Sequence, residues 1–470
     1  MTRLALACLA LLACQGCAHF GSLEEAGEAG LDAVPERPAA WEAGSSVDGQ
    51  VEFGWVAAFN DPVLSAYVDE ALVNNRDLRA AAGVVSEARA LARQAGAALY
   101  PAVDITAAAR RSGVIDQPSV DGYEAGAQLS WEVDVWGRVR SSRRSAALGA
   151  YSAEADFLFS QYSLAAAVAQ SYFLAIEAGL QLDVSTKSFN ALEVTERIVE
   201  AQRDIGAASG LDLALSKRDL ANARDAVLTA QGAQRTAVRA LSVLLGRYPS
   251  ALTETPPILP QAPPPPPAGL PSDLLERRPD VIAAELSLAA AFDNVAATQA
   301  ARLPTISLTS SIGGSSSDLS DVLDPENVAW QVVGNLIGPA FDGGLRQARV
   351  REARAEQVQA ANSYAQTAIS AFEEVETSLD QNVVLRARIA ALTEAAAEAN
   401  RAFEIARRQY EEGESNLLDV LTIQNTSFSA DSALVSAERS LLNEWINLNL
   451  ALGGNWATAP TGREEAPPAE

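Results

Sequence analysis

Hydrophobic and polar positions change their period along this chain, from helical spacing to strict alternation and back. Apolar residues recur at helical spacing from residue 62 to about residue 99, after the helix-start signal Asp61-Pro62. From Pro101 the period becomes two, first over residues 103–110 and then, more clearly, over residues 123–135. Two alternating stretches joined by a turn-rich segment predict a β-hairpin at about residues 102–136.

Very long helices are predicted on the far side of that hairpin. No proline lies between Pro118 and Pro249, nor between Pro339 and Pro460. A helix from residue 137 to 206 would be about 100 Å long at 1.5 Å per residue, which is a rod rather than a compact globular helix. Each helical pattern is interrupted once, at Gly206 in the first window and at the corresponding glycine in the second.

The two windows are copies of one unit. Gly206 and Gly413 lie 207 positions apart, as do Gly137 and Gly344, whereas Pro101 and Pro304 lie 203 apart. Such recurrence is the signature of a duplication. The predicted organisation is an extended tail (residues 17–60), repeat 1 (61–249), a proline-rich linker (250–275), repeat 2 (276–456, with a hairpin at about 304–338) and a polar C-terminal tail (457–470).

The hairpins allow two interpretations. A sheet of this kind either packs one face on helices in a soluble protein or spans a membrane with lipid on its apolar face, and the rod-like neighbouring helices favour the membrane. Trp131, Trp136 and Trp330 would then lie in an interfacial belt. Four strands cannot close a membrane barrel, so several copies would have to pool their strands, and three copies would supply twelve. The predicted fold class is mostly α with a small membrane β part.

The N-terminus has the features of a lipoprotein signal, predicted over residues 1–16. A short apolar core is followed by small residues and cysteine, and either Cys14 or Cys17 fits the lipidation position. The remaining cysteine, Cys8, lies in the same segment, so the folded body has no thiol chemistry. Because no other run of 18 apolar residues occurs, no transmembrane helix is predicted.

Charge and residue types argue against several function classes. A net charge of −25 disfavours nucleic acid as a partner. The single histidine, His19, lies in the tail, and the acidic pair Glu373-Glu374 occupies consecutive helix positions that point different ways. No glycine-rich phosphate loop is present, so neither an enzyme nor a cofactor is predicted.

Four sequence motifs resemble one family, the TolC-like outer membrane factors, and specifically their lipoprotein branch. They are LLERRPDVIAAE at 274–285, SWEVDVWGR at 130–138, FDGGLR at 341–346 and the Tyr-x-x-Gly-x-x-x-x-Leu-Asp-Val-Leu pattern at 410–421. The resemblance implies a homotrimer with a twelve-stranded β-barrel in the outer membrane and an α-barrel in the periplasm. It also implies a periplasmic membrane-fusion adaptor, an inner-membrane pump of the resistance-nodulation-division type, and a role as exit duct for drugs or other small molecules.

The same resemblance assigns roles to the two interruptions, which we name tip 1 (residues 206–212) and tip 2 (residues 413–419). Gly206, Leu211, Asp212, Gly413, Leu418 and Asp419 would contact the adaptor, and Asp419 would narrow the channel entrance. The position three residues after Asp419, acidic in some relatives, is Thr422 here. Helix capping alone also accounts for Asp212 and Asp419. Two further functions stay open: a duct for type I protein secretion and a lipid-tethered periplasmic coiled-coil scaffold.

Overall fold

The computed structural model describes residues 34, 40–43, 54–250, 254–269 and 271–454. The predicted signal peptide, with Cys14 and Cys17, and the C-terminal tail from residue 455 lie outside the described residues. The chain divides into two compact units. The first comprises residues 1–35, 82–156 and 280–369, and the second comprises residues 36–81, 157–279 and 370–470.

Helices occupy most of the described chain, and their lengths match between the two halves. In chain order they are α1 (Pro62–Asn74), α2 (Arg76–Ala97), α3 (Arg138–Asp204), α4 (Gly210–Leu244), α5 (Pro271–Arg277), α6 (Pro279–Ala300), α7 (Leu345–Glu411) and α8 (Leu417–Ala451). Both α2 and α6 have 22 residues, both α3 and α7 have 67, and both α4 and α8 have 35. These equal lengths support the predicted duplication.

The first unit contains one antiparallel four-stranded sheet in the order β1-β2-β3-β4. Its strands are β1 (Ala102–Ser112), β2 (Val120–Val133), β3 (Thr305–Ser316) and β4 (Val328–Ile337). The first hairpin pairs with the second through β2 and β3, with Trp131 opposite Leu308. The predicted mostly helical fold with four antiparallel strands is confirmed.

Helices α2, α3, α6 and α7 in the first unit lie side by side in that order. Arg89 of α2 pairs with Glu154 of α3 at 2.7 Å, and Arg144 of α3 pairs with Asp293 of α6 at 2.6 Å. Asn294 of α6 donates to a carboxylate oxygen of α7 at 3.1 Å. The helix order therefore repeats the strand order, because each strand leads into or follows its own helix.

The second unit is built around an aromatic core. Phe59 packs edge-on against Phe173 and Trp445, with ring centroids 5.1 and 4.9 Å apart. Such pairs add about 0.5–1.5 kcal/mol beyond the burial of their area. Asp61 caps α1 by accepting hydrogen bonds from the backbone N–H groups of Val63 and Leu64, which confirms the predicted helix start.

Two helices in the described residues meet a length and hydropathy criterion for crossing a membrane. Windows within α3 and α6 both reach a mean hydropathy of 1.3, and 56% and 39% of the respective windows are buried. The expectation of no such helix, which rested on uninterrupted apolar runs, was therefore too strict. Since a buried core helix passes the same criterion, these windows are weak evidence for a helical span.

Candidate functional site: the sheet faces and the two tips

The strand register collects apolar residues on one face of the sheet. Val103 and Ile105 of β1 lie opposite Leu129 and Ala127 of β2. The same face continues across β3 and β4 through paired apolar positions. These are Ala127 opposite Ile312, Trp131 opposite Leu308, Val133 opposite Ile306, Ile306 opposite Leu336, and Ile312 opposite Trp330.

Most of this apolar face is not covered by other described parts of the chain, although Gly314 at one end of β3 is buried against the backbone at Val322. Ile105 is 88% exposed, Trp330 is 75% exposed and Leu336 is 67% exposed. From Ile306 to Gly314 the face extends about 26 Å at 3.3 Å per residue. That height is suited to the hydrocarbon core of a bilayer, whereas water would disfavour so large an apolar surface.

The outer strands have unpaired edges within the described residues, where β1 pairs only with β2, and β4 only with β3. Backbone N–H and C=O groups along such edges need partners inside a membrane. The described residues therefore leave both the apolar side chains and the two outer edges of this sheet without partners.

Two glycines bring the central strands unusually close. Gly126 of β2 lies opposite Gly313 of β3. A Cβ atom on Gly126 would lie 2.6 Å from the carbonyl oxygen of Ile312, and one on Gly313 would lie 2.7 Å from that of Ala125. Any larger residue at either position would have to push the neighbouring strand away, so this pair shapes the sheet.

Opposite the apolar face, the sheet carries polar side chains around a cavity of about 450 Å³. Its lining includes Thr106, Glu124, Gln128, Ser311 and Gln331. One lipid-compatible face and one wettable face are what a membrane barrel needs.

The three predicted belt tryptophans lie at different places. Trp131 donates its indole N–H to the carbonyl oxygen of Leu99 at 3.0 Å, and Trp136 donates to that of Pro304 at 2.6 Å. Both therefore join strand ends to helix ends. Trp330, four residues along β4 from the level of Trp131, projects from the exposed face. Their role as an interfacial belt stays a prediction.

Tip 1 is a glycine turn followed by a complete capping box. Gly206 has a φ of +80°, which a residue with a side chain adopts only with strain. The Ser209 hydroxyl accepts from the Asp212 N–H at 3.1 Å, and the Asp212 carboxylate accepts from the Ser209 N–H at 2.8 Å. Hydrogen bonding to the Asp212 carboxylate by the Ser209 side chain, and secondarily by its backbone N–H, lowers the pKa of Asp212 below its usual value. Leu211 is 67% exposed beside this cap.

Tip 2 repeats the turn with different side chains. Gly413 has a φ of +79°. The Asn416 amide oxygen accepts from the Asp419 N–H at 2.9 Å, and the Asn416 amide donates to the Asp419 carboxylate at 2.6 Å. Leu418 is 59% exposed and Asp419 is also exposed. Asp212 thus completes a capping box, whereas the Asp419 carboxylate accepts from the side chain of its N-cap residue and not from that residue's backbone N–H. Any further role of Asp419 stays a prediction.

The tips are joined by contacts within the second unit. Gln202 of α3 donates to the carbonyl oxygen of Tyr410 of α7 at 3.5 Å. Burial, and secondarily the charge of Asp212, raises the pKa of Tyr410. An apolar cluster supports both turns from behind and includes Val199, Leu213, Tyr410, Leu417, Val420 and Leu421. Leu211 and Leu418 are therefore exposed to solvent next to a buried apolar cluster that supports both turns.

The acidic side chains in the described part of the chain do not form a metal site. No group of three or more His, Cys, Asp or Glu side chains there is placed to hold a metal. Glu374, considered as half of an acidic pair, instead forms an ion pair with Arg278 at 2.6 Å. Glu374 therefore has a structural partner, whereas the sequence indicated only solvated or lumen-facing charge for this acidic pair.

Several residues with clear structural roles were missed by sequence reasoning. Gly126 and Gly313 gave no signal, because two glycines 187 positions apart become informative only once the strand register is known. Trp41 was also missed: it donates to the carbonyl oxygen of Gly269 at 3.1 Å and packs near Phe372. A lone aromatic residue in the tail was the only sequence signal for that contact.

Comparison with known proteins identifies the family. The model of the outer membrane efflux protein family matches residues 67–247 and 270–454. The solvent efflux pump outer membrane protein SrpC of Pseudomonas putida is 31% identical to this chain over 455 residues, covering 92% of this chain and 96% of SrpC. The cation efflux system protein CusC of Escherichia coli O6:H1 is 32% identical, over 88% of this chain and 90% of CusC.

A solved structure gives the same result for the fold. The crystal structure of CusC superposes with a TM-score of 0.80 at 29% sequence identity, and the match covers 89% of this chain and 98% of CusC. The family comprises outer-membrane channels, which are not a class of enzymes. With its apolar sheet face, open strand edges and paired tips, this chain belongs to the outer membrane efflux protein family and is an outer-membrane component of an efflux system.

Proposed function

We propose that three copies of this chain form a passive exit duct for small molecules across the periplasm and the outer membrane. The observation that carries the proposal is the four-stranded sheet with an exposed apolar face and two open edges. Three copies supply twelve strands, which is enough to close a barrel and to pair every edge. The polar face around Glu124 and Gln128 would then line the water-filled interior.

The same duct would receive its cargo at the tips. Leu211 and Leu418 are exposed next to the buried apolar cluster, and Gly206 and Gly413 adopt the positive φ that each turn requires. Exposed leucines beside short polar turns suit insertion against the helical end of a periplasmic adaptor, with an inner-membrane pump of the resistance-nodulation-division type beyond it. Asp212 and Asp419 would fix both turns, and Asp419 would also narrow the entrance.

The cargo is proposed to be drugs or other small molecules rather than proteins. Among the relatives, SrpC is named for solvent efflux and CusC for cation efflux. These names support small-molecule export over type I protein secretion. Catalytic activity and a bound cofactor have no place in this proposal, and neither does nucleic acid.

Lipidation would add a second attachment to the outer membrane. Cys14 and Cys17 are the two candidates, and both lie outside the described residues. Trp41, which donates to the carbonyl oxygen of Gly269, lies 24 residues after Cys17, and 24 residues of chain can span at most roughly 80–86 Å. Mass spectrometry of the mature N-terminus identifies the acylated cysteine.

Single-channel recording of the purified full-length protein in a planar bilayer tests the duct, with subunit mass measured in parallel. The expected result is a trimer that forms cation-selective pores. A monomer that stays in the aqueous phase and forms no pores would overturn the proposal and leave the lipid-tethered scaffold.

The entrance role of Asp419 is tested by comparing Asp419→Ala with Asp212→Ala. Each substitution removes a carboxylate that hydrogen-bonds to the N-cap residue three positions earlier, through the backbone N–H of Ser209 or the side-chain amide of Asn416. A role limited to the helix start would therefore leave conductance near the wild-type value in both variants. We expect Asp419→Ala to raise conductance and lower cation selectivity, while Asp212→Ala leaves both near the wild-type values. Equal effects of the two variants would assign Asp419 to capping only.

A further inference from the structure

A cavity of about 410 Å³ lies between α2 and α3 in the first unit, next to the start of β1. Arg93 and Arg143 line it from the two helices, and Leu99 and Tyr100 contribute apolar surface. The rest of the lining consists of small residues (Ala92, Gly96, Ala97 and Ala147). The cavity thus combines two guanidinium groups with an apolar wall, which is unusual in a chain with a net charge of −25.

Neither guanidinium forms an ion pair with any residue that the structure describes. Their neighbours behave differently: Arg138 pairs with Glu132, Arg140 with Asp134, and Arg144 with Asp293. Two like charges lining one cavity repel each other, and an anion between them would remove that repulsion. Among the four arginines at the start of α3, Arg143 is the one without an ion pair, and its charge and that of Arg93 leave the cavity open to an anionic ligand.

Gly96 leaves room for the position of Arg143. A Cβ atom on Gly96 would lie 3.8 Å from Cγ, Cδ and Nε of Arg143, so the arginine stem lies directly across the glycine. The apolar stem therefore packs on α2, and the guanidinium remains exposed. This arrangement orients the charged group without neutralising it.

The second half of the chain shows that helix packing does not require these arginines. By the offsets of 203 and 207 residues, Arg93 corresponds to Ala296 and Arg143 to Val350. Val350 is only 5% exposed and serves as a packing residue. The same pair of helices can thus be joined by small apolar side chains, and the two arginines in the first half need another explanation.

We propose that this cavity binds an oxyanion attached to an apolar body, with Arg93 and Arg143 holding the phosphate or carboxylate. A guanidinium presents paired N–H donors that match the oxygens of these groups, and such charge-assisted bonds are the strongest hydrogen bonds available to a surface arginine. Leu99 and Tyr100 contact the apolar part. A phospholipid headgroup and a free organic anion share this chemistry, and the experiment separates them.

Binding is measured on the purified full-length protein in a neutral detergent, from the rise in thermal unfolding midpoint as ligand is titrated. The probes are dihexanoylphosphatidylglycerol, the zwitterionic dihexanoylphosphatidylcholine, and inorganic phosphate. We expect phosphatidylglycerol to raise the midpoint of the wild type and the phosphatidylcholine to raise it less. A response to phosphatidylglycerol alone assigns the cavity to a lipid headgroup, and an equal response to inorganic phosphate assigns it to a free oxyanion.

The decisive variant carries Arg93→Ala and Arg143→Val, the residues found at the matching positions of the second half. Its affinity for the binding probe should fall by about tenfold or more, since two charge-assisted interactions are lost. The control carries Arg351→Ala and Arg354→Ala, which removes the same charge from exposed positions of α7 outside the cavity. The control should bind as the wild type does.

Two results would overturn the proposal: unchanged affinity in the Arg93→Ala/Arg143→Val variant, or an equal loss in the control, which would show general electrostatic attraction. If the double variant does not fold, Arg93→Ala and Arg143→Val are tested singly, and each should weaken binding. Folding of every variant is checked by its unfolding midpoint without ligand and by its subunit number.

Discussion

In each half of the chain, the end of a long helix contacts the residue that separates two shorter helices, and we call this contact the joint. The two halves form the joint with different side chains. In the first joint, the amide of Asn75 donates to the carbonyl oxygen of Leu244 at the end of α4, at 3.0 Å. In the second joint, Arg278 takes the place of Asn75 and donates to the carbonyl oxygen of Ala451 at the end of α8, at 3.1 Å. Asn75 and Arg278 are 203 residues apart, and Leu244 and Ala451 are 207 apart.

A glycine completes each joint in the same way. Gly246 and Gly453 follow α4 and α8 with φ values of +73° and +71°. A Cβ atom on Gly246 would lie 2.6 Å from the carbonyl oxygen of Asn74, and one on Gly453 would lie 3.2 Å from that of Arg277. The backbone contact is conserved between the halves, but the first joint is tighter.

The difference lies in how each half satisfies the buried end of a helix. Asn75 is neutral, and its side-chain oxygen also caps α2 by accepting from the N–H groups of Asp77 and Leu78. Arg278 brings a charge that is only 3% exposed and that needs Glu374 as a partner. The two halves therefore share the backbone groups that meet at the joint, but different side chains hydrogen-bond to those groups.

The largest expected effect is loss of the charged joint. Arg278→Ala should destabilise the protein by about 3–4 kcal/mol, because the packing of the buried arginine and its ion pair with the half-exposed Glu374 are lost and the Ala451 carbonyl loses its donor. Asn75→Ala should cost about 1–2 kcal/mol, for one cap and one hydrogen bond. Urea unfolding in detergent, followed by tryptophan fluorescence, measures both. Equal losses in the free energy of unfolding would show that the charge of Arg278 does not make the second joint more sensitive to substitution than the first.

A smaller effect should separate the two glycines. Gly246→Ala should cost about 2–3 kcal/mol, because the new methyl group meets a backbone oxygen in addition to the strain of a positive φ. Gly453→Ala should cost about 1 kcal/mol, mostly for the backbone conformation. The same unfolding experiment compares them. If Gly453→Ala lowered the free energy of unfolding more than Gly246→Ala, the closer backbone oxygen at Gly246 would not be what determines the cost of substitution.

The smallest effect concerns the helix caps at the tips. Ser209→Ala and Asn416→Ala should each cost about 1 kcal/mol at neutral pH. Hydrogen exchange of the amides at residues 206–212 and 413–419 reports each loss locally, and each variant should leave the other tip unchanged. Faster exchange at both tips in either variant would show that the tips open together.

Acid should act on tip 1 through Asp212. Because the folded state lowers the pKa of this carboxyl, its stabilising contribution is complete above the unfolded value of about 3.9. The contribution is then lost as pH falls through the lower folded value. Asp212→Asn should therefore exchange faster than wild type near neutral pH, and the two should converge in strong acid. A constant difference down to pH 2 would contradict this linkage.

Much of the fold could be predicted from local sequence features. Alternation defined the first hairpin at about 102–136, and the strands observed there are Ala102–Ser112 and Val120–Val133. Proline-free windows and the glycines at 206 and 413 predicted the two helices of 67 residues. Ser209 and Asn416 are N-caps in the structure, a position that favours short polar side chains just before a helix start.

The functional surfaces were less accessible to sequence reasoning. Exposed Leu211 and Leu418 could be located from the turn positions and a family resemblance. The cavity between Arg93 and Arg143 could not, because two arginines 50 positions apart reveal nothing until α2 and α3 are placed side by side. The lack of ion-pair partners among the described residues is equally invisible in a sequence that contains 60 acidic residues.

The sequence by itself determined the period of each element, the turns between them, the duplication and the family, because these depend on residues close together or on a repeat of fixed length. Only the tertiary structure decided which side chains meet across the fold. The pairing of Gly126 with Gly313, the exchange of Asn75 for Arg278 and the unpaired arginines of the cavity all depend on distances between residues far apart in sequence. Contacts of that kind are set by packing, which local spacing does not encode.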